Sequence, residues 1–594
     1  MTRHTLAAAM LSLVAVSAQT STNNAYIQHN LVSDVPGLAD VTDPNLVDPW
    51  GMSFSTTSPF WVTNHGKGNT TIYTNSNTTT GVAISSTVVT IPGAAGGTSP
   101  SPATGQVQNS TSGFLLANGT KASFIFCTED GTVSAWNGGG AATVMIDNSA
   151  AGIVYKGMAI ATNNGAPMLY MANFSYGVID VLDTNFKLTT VPGGFGDPNM
   201  LPGFAPFNIW NVNNQLYVMY AKQDPTKKLD QPGVGNGVVN IFDLNGNLLQ
   251  RLTSGGPLNS PWGVAVVGGG WGALSNSVLV GNFGDGKINA FDPKTGNLIG
   301  TMQDPSGKAI SIQGLWAIEF GNGGSGGDAR YLYFTAGIFN GTTTQHGLLG
   351  SLAPPAQVIG VQNAASGATG AIAPGEILAL TGITIGPRPA VSSAVSPVGT
   401  SLGGTTVTIN GTPAPILYTQ ADQTNIIVPW GATGTTASIV VTQGTTVSQT
   451  LSVPIAAAAP GLFTLSGGAL AWNQDGTLNS ATNAAPAGSV VVLYATGLGQ
   501  TDPAGTDGAK YGNLVLAETV TPVTATVGGK AATVIYAGGA PGQVAGVMQV
   551  EVVVPTGAGT GAVPVVITSN GTTGAGTGGT SSGTSSVAAS VYLK

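Results

Sequence analysis

Three asparagines recur at one place in a repeating pattern: Asn64 ends Trp61-Val62-Thr63-Asn64, Asn173 ends Tyr170-Met171-Ala172-Asn173, and Asn282 ends Leu279-Val280-Gly281-Asn282. Each closes an apolar, β-prone run and is followed by a Gly-containing turn. Glu129, beside Thr128, and Lys222 hold near-equivalent places in two further copies. If these strand ends face a common axis, the amides with Glu129 and Lys222 form a polar ring. Such a ring suits a carbonyl- or hydroxyl-rich ligand, or a hydrated Ca²⁺ held by oxygens. The same asparagines have a competing role, which is the stronger reading. Asn before a Gly turn tolerates left-handed backbone and bonds its own main chain, so a repeat that reuses the turn reuses the residue. His65, next to Asn64, joins the candidate set at the channel mouth. It and His346 fall on loops of the first and last copies, adjacent around a closed ring, although an exposed loop position accounts for either of them more simply.

Other chemistry is thinly represented. There are four histidines, at positions 4, 29, 65 and 346, in separate segments, and no zinc-ligand spacing, phosphate loop or nucleophile elbow. The single cysteine, Cys127, lies in the apolar run Phe124-Ile125-Phe126-Cys127, which points to a core residue and excludes an intrachain disulfide. Charged residues are 7% of the chain, and the formal charge of −8 is dispersed, so no basic patch for nucleic acid exists. General acid–base chemistry needs positioned titratable groups. Their scarcity favours a binding or scaffolding protein over an enzyme. The alternative is a propeller hydrolase or lyase of the lactonase type with a divalent metal at the channel mouth, for which Glu129, a channel Asp or Asn, and His65 or Glu319 would have to converge. The metal is unspecified, Ca²⁺ being the candidate, and no organic cofactor is expected.

The elements that must position these residues form a repeat. Ser277–Gly281 and Lys287–Phe291 read as a β-hairpin around the turn 282–286, and altered copies occur at 60–73, 169–183 and 216–247. Upstream of the hairpins stand Pro49-Trp50-Gly51, Lys156-Gly157, Pro206-Phe207, Pro261-Trp262-Gly263 and Leu315-Trp316. A period of about fifty residues with several strands per period predicts β-propeller blades, which cannot bury both faces alone and stack around an axis. Six blades are expected, beginning near Trp50, Gly113, Tyr155, Phe204, Pro261 and Ile312. Residues 75–112, rich in Thr, Ser, Gly and Pro, read as an irregular insertion. Tyr26–Val32 is expected to supply the outer strand of the last blade, closing the ring and removing exposed sheet edges.

With 594 residues and 88 glycines, the chain is too long for one core. Met1–Ala18 has a basic start, an apolar stretch Leu6–Val16 and a small-residue cleavage site, the pattern of a signal peptide, and no later run is long enough to span a membrane. A secreted or periplasmic, monomeric protein is expected, with carbohydrate or protein of the cell exterior as its partner class. After Gly350 the blade pattern stops. Gly404 to Pro429 is answered by Gly529 to Pro555, and Ile416-Leu417-Tyr418 by Val534-Ile535-Tyr536. Two copies of one module with short alternating strands predict immunoglobulin-like sandwiches at 356–458 and 459–594, after a propeller at 26–352. The chain is therefore read as all-β throughout.

Two resemblances accompany these readings. Residues of about 356–594, with APGEILALTG, QADQTNIIVPWG, AAPGLFT and YATGLGQTDP, resemble the C-terminal domain abundant in secreted Solibacter-type acidobacterial proteins, and the Gly-Gly and Val-Pro strands resemble IPT/TIG immunoglobulin-like modules. Residues of about 26–352, with NLVSDVPGLADVTDPNLVDPWGMSF, GFAPFNIW and LVGNFGDGKINAFDPKTG, resemble a family of exported conserved bacterial proteins expected to be propellers. The resemblances imply the fold, export and a bacterial source; neither implies a reaction.

Overall fold

The computed structural model describes residues 24–594 except 76–81, 98–99, 270, 340, 342–344, 355, 388–389, 445, 466, 513 and 570–583. The segment Met1–Ala18, read as a signal peptide, lies outside the described residues, as does most of the Gly/Thr/Ser-rich run 571–586. The fold is all-β. Among the described residues the only helices are two short 3₁₀ turns, and no helix is long and apolar enough to cross a membrane. Chain contacts divide it into two units, Thr20–Pro355 and one that holds Ala356–Lys594.

The first unit is propeller-like. Six sheets, antiparallel apart from the parallel pairing of Ile27–Ser33 with Val41–Thr42 in the last, begin with the inner strands Pro49–Ser53, Ala103–Gln108, Tyr155–Asn163, Phe204–Val212, Pro261–Val266 and Leu315–Phe320, numbered here sheets 1 to 6 in that order. Each inner strand neighbours the next, and the sixth neighbours the first, so the inner strands form a closed ring. Ile27–Ser33 pairs antiparallel with His346–Ala353 in sheet 6, so the sheet that ends the unit also takes in its first strand. The hairpin expected around 282–286 is present, Val278–Asn282 pairing with Ile288–Phe291.

One strand departs from expectation. The second inner strand is Ala103–Gln108, inside the segment read as an irregular insertion. Its sequence, ATGQVQ, lacks the aromatic residue that marks other inner strands, yet it pairs with Phe124–Thr128 and is largely buried. Side chains tie the ring across sheets. Gln106 donates to the Gly51 carbonyl at 3.2 Å, Thr104 to that of Tyr155 at 2.9 Å, Asn208 to that of Trp262 at 2.9 Å and Thr335 to that of Trp50 at 2.6 Å. Neighbouring inner strands approach so closely that a Cβ on Gly157 would stand 1.9 Å from Asn208 Oδ1. Glycine there is a packing requirement.

In the second unit, the sheet built on Gln357–Asn363, Ile377–Ile383, Ile416–Gln420 and Gln423–Ile427 shares one core with the sheet built on Thr405–Ile409 and Thr436–Gln443. Leu378, Leu380 and Ile426 meet Val407, Ile439 and Val441 there. A larger sheet over residues 461–593 encloses a separate core containing Leu493, Val550, Val565 and Val591.

Candidate functional site

Every inner strand of the propeller-like unit breaks register at the same place, between Pro49 and Met52, Ala103 and Gln106, Tyr155 and Met158, Pro206 and Asn208, Pro261 and Gly263, and Leu315 and Ile318. An irregularity of this kind re-aims a side chain out of the pleat. The residues concerned are Trp50, Thr104, Lys156, Phe207, Trp262 and Trp316, all 5% exposed or less. All but Thr104, which bonds the Tyr155 carbonyl, meet in the middle of the ring. The Trp316 indole stacks on Trp50 at 3.6 Å between centroids and on Phe283 at 4.1 Å, with Trp262 at 5.8 Å and Phe207 at 6.0 Å. One indole thus touches rings from sheets 1, 4 and 5, forming an aromatic plug.

Lys156 is the exception in this set. Its ammonium lies 5.4 Å from the centre of the Trp50 ring, 5.5 Å from Phe174 and 5.9 Å from Phe207, with its side chain 2% exposed. Such a charge needs a counter-ion, because desolvation outweighs cation–π attraction alone. Glu129 Oε1 provides it in an ion pair with Lys156 Nζ. The chain of contacts continues. Glu129 Oε2 meets His65 Nε2 at 2.9 Å, His65 Nδ1 meets Asp48 Oδ2 at 3.2 Å, and Trp316 Nε1 donates to Asp48 Oδ1 at 3.3 Å. The His65 ring also stacks on Trp50 at 4.9 Å. Room for Asp48 depends on Gly337, where a Cβ would stand 2.0 Å from Asp48 Oδ1.

Electrostatics fix the protonation of this relay. Burial raises the Glu129 carboxyl, but Lys156 and His65 override it and hold it down at about 2. Burial likewise pulls the His65 imidazole down, and the two carboxylates outweigh it, raising it to about 9. At neutral pH both imidazole nitrogens therefore carry protons and both donate to carboxylates. Asp230 sits within electrostatic reach of Lys156 and Glu129, and its carboxyl is raised chiefly by burial.

The structure brings His65 and Glu129 together and places the other sequence candidates elsewhere. Asn64 donates to Asn69 at 2.8 Å and Thr71 at 3.0 Å. Asn173 donates to Asp180 at 2.9 Å, while its oxygen accepts from Ser175 and the Tyr176 amide. Asn282 donates to the Pro257 carbonyl and Asp285, and accepts from the Asn259 amide. Their side-chain nitrogens are all committed, to their own hairpins and, for Asn282, also to the preceding segment 257–259, while Asn64 Oδ1 is buried without a partner. Lys222 is half-buried and lies two residues beyond the register position of the asparagines, which Tyr220 holds in sheet 4. Across the sheets the residue one place after the asparagine reaches the axis: His65, Glu129, Phe174 and Phe283. Because side chains alternate faces, a one-residue offset exchanges turn residues for axial ones.

Three axial residues were not read as functional from the sequence. Lys156 enters the sequence reading only at the start of an inner strand; its signal is a lone lysine at a place that is aromatic in four other copies. Asp48 precedes the inner strand it serves, and Asp230 lies in the loop between Gln215–Lys222 and Gly237–Asp243. Glu319 stands apart, on the inner strand of sheet 6, its Oε2 buried without a partner and its carboxyl raised well above the ordinary range by burial. His346 pairs with Asp34 at 2.8 Å and does not meet His65. Cys127 is fully buried, its thiol raised to about 11 chiefly by burial. Among the described residues no group of three or more His, Cys, Asp or Glu is placed to hold a metal ion.

No family model matches the chain. It is 34% identical over 298 residues to Uncharacterized protein R648 of Acanthamoeba polyphaga mimivirus, a match covering 48% of this chain and 71% of that one. It is 32% identical over 300 residues to Uncharacterized protein L690 of the same virus, covering 48% and 76%. Among solved structures, a streptogramin B lyase is 13% identical with a TM-score of 0.28, covering 55% of this chain and 96% of its own. A PQQ-bound aldose sugar dehydrogenase from Streptomyces coelicolor is 12% identical with a TM-score of 0.31, covering 56% and 100%.

Proposed function

We propose that this chain, which belongs to the family of the mimivirus protein R648, is an exported binding protein whose axial site takes a small polar ligand. In this reading Thr20–Pro355 is a six-bladed propeller, residues 356–458 and 459–594 are immunoglobulin-like modules that carry it, and Met1–Ala18 directs export to the periplasm or beyond. The six sheets and their six equivalent register breaks support the blade count; two facing sheets over one core support the first module.

The observation that carries the binding reading is the relay Lys156–Glu129–His65–Asp48–Trp316. Every ionised group in it is already matched by an opposite charge. A carboxylate held near 2 is a weak base, and an imidazolium held by two carboxylates has no free lone pair, so the relay is poorly suited to proton transfer at neutral pH. It is well suited to fixing the aromatic walls and presenting a rigid polar surface, which lowers the entropic cost of ligand capture. His65 and Glu129, partly exposed above the buried plug, present fixed hydrogen-bonding groups that suit hydroxyl-rich molecules, and carbohydrate is the partner class tested first.

The experiment is an array of immobilised neutral and charged saccharides probed with the labelled full chain and with Glu129→Gln. Retention of a subset by the wild type and its loss in the variant is the expected result. Equal retention by both chains places binding away from the axis, and no retention removes carbohydrate as the partner class.

A further inference from the structure

The second unit holds a cavity of about 160 Å³ where the edge strand Gln357–Asn363 meets the segment 458–460 and the short strand Thr584–Ser585. A cavity of that volume admits a benzene-sized molecule, so a ligand of about six heavy atoms fits whole. Val361, Ile372 and Leu378 supply apolar wall, and the exposed Thr369, Thr584 and Ser585 stand at its rim. Thr584 Oγ1 donates to the Ala458 carbonyl at 3.0 Å, which fixes one side of that rim. Two lining side chains are not accounted for by the fold. Gln362, 9% exposed, makes no side-chain hydrogen bond among the described residues. Glu376, 1% exposed, is the only ionisable side chain among the described residues of the lining.

Glu376 is held as an anion would be, yet without a cation. Its Oε1 accepts from Asn363 Nδ2 at 2.8 Å and its Oε2 from the Ala373 amide at 2.7 Å. Asn363 is itself pinned, donating to the Ala459 carbonyl at 3.1 Å and lying against Gly461, where a Cβ would stand 2.1 Å from Asn363 Oδ1. Donors on both oxygens favour the carboxylate, but burial outweighs them and raises the group to about 8. At neutral pH the carboxyl therefore keeps a proton although both of its protein partners are donors. A cation in the cavity removes that conflict. Each carboxylate oxygen has a lone pair left, the Gln362 amide offers a further acceptor oxygen, and an ammonium brings three donors.

We propose that this cavity is a second binding site, which takes a small primary amine whose ammonium donates to the Glu376 carboxylate and the Gln362 carbonyl oxygen while its carbon chain lies on Val361, Ile372 and Leu378. The site is independent of the axial one and stands if that reading falls. Calorimetric titration of the full chain with n-butylamine and 1-butanol, at pH 6.5 and 7.5 and in phosphate and in Tris, tests it. Seating the ammonium expels the Glu376 proton to the buffer, so the heat differs between the two buffers by the ionisation of about one proton. Below about 8 the ionised fraction grows with pH, so the amine binds about eightfold more tightly at pH 7.5 than at 6.5. 1-Butanol shows neither effect and binds at least about tenfold more weakly at pH 7.5. Glu376→Gln abolishes the buffer and pH dependence. Gln362→Met, nearly isosteric and without a bond to Glu376, weakens the amine at least about threefold while proton release persists, and it carries the test if Glu376→Gln fails to fold. Equal affinity for amine and alcohol, heat independent of the buffer, unchanged amine binding in either variant, or no heat with the amine overturns the assignment.

Discussion

Replacing His65 by Gln removes a protonated link between two buried carboxylates, and its effect on stability is worked from the geometry. His65 bridges Asp48 at 3.2 Å and Glu129 at 2.9 Å with its side chain 24% exposed, too little for solvent to screen the pair strongly. Its folded-state value, about 9, lies above the ordinary 6.5. A raised imidazole contributes stability that is fully present below pH 6.5 and is lost as pH rises through 9. The gap corresponds to about 3 kcal/mol. For a unit of this size the unfolding entropy is roughly 0.7 kcal/mol/K, so the melting temperature of the Thr20–Pro355 unit falls by about 4 °C between pH 6.5 and 9.5 on this account. The assay is calorimetric melting of the full chain and of His65→Gln at pH 6, 7.5 and 9.5. The wild type should converge on the variant as pH rises. A constant difference between them across this range refutes the reasoning, because it would mean that the imidazole is not held protonated by its carboxylates.

Four further outcomes are expected. Lys156→Met leaves Glu129 with His65 as its remaining cation and destabilises by up to about 3 kcal/mol, and adding Glu129→Leu recovers part of it; denaturant unfolding of the single and double variants checks both. Gly157→Ala forces a Cβ into Asn208 and destabilises by about 1–3 kcal/mol in the same assay, against near neutrality at Gly196, where a Cβ meets nothing within 4 Å. Asn64→Ala, Asn173→Ala and Asn282→Ala each lower stability through their turns and leave any heat of Ca²⁺ titration into the full chain unchanged; Ca²⁺ binding lost in the triple variant would restore the asparagine ring. Glu376, 1% exposed, is raised by burial to about 8, so its folded value exceeds the ordinary 4.5 and stability falls as pH rises between them; melting of Glu376→Gln should lack that slope.

The sequence carried the fold further than the site because the two are written at different scales. Turn signals and period-2 strands recur every few residues, so the hairpins at 278–291 and 169–182 and the return of 27–33 to the last sheet were legible. The inner strand Ala103–Gln108 was not. Its burial comes from backbone contact with neighbouring inner strands, and Thr104 and Gln106 satisfy it through bonds to Tyr155 and Gly51 that no local pattern records. In the same way Asp48 and Gly337 meet across sheets 1 and 6, nearly three hundred residues apart, and only closure of the ring makes that distance short.

The site turned on a single register step. Reading the repeats by composition selects the residue they share, and Asn64, Asn173 and Asn282 are shared because the turn demands them. A ring-shaped protein makes a specific site by breaking its own repeat, since identical residues from every blade could only build a symmetric one. At the neighbouring position the copies diverge into His65, Glu129, Phe174 and Phe283, and at the inner-strand break into Trp50, Thr104, Lys156, Phe207, Trp262 and Trp316. The polar members come from sheets 1 to 3, while the side chains that sheets 4 to 6 bring to the axis at these places are the rings Phe207, Trp262, Phe283 and Trp316, and the relay and plug are that division made physical. It follows that exchanging the two halves of one pair should be tolerated poorly by the axis and well by the fold. Lys156→Phe, which gives sheet 3 the residue that sheet 4 carries at this place, keeps the strand pattern yet removes one of the two cations that hold Glu129 ionised and leaves it with His65 alone. The expected result is a folded chain whose Glu129 no longer titrates near 2 and whose acid unfolding moves toward neutral pH.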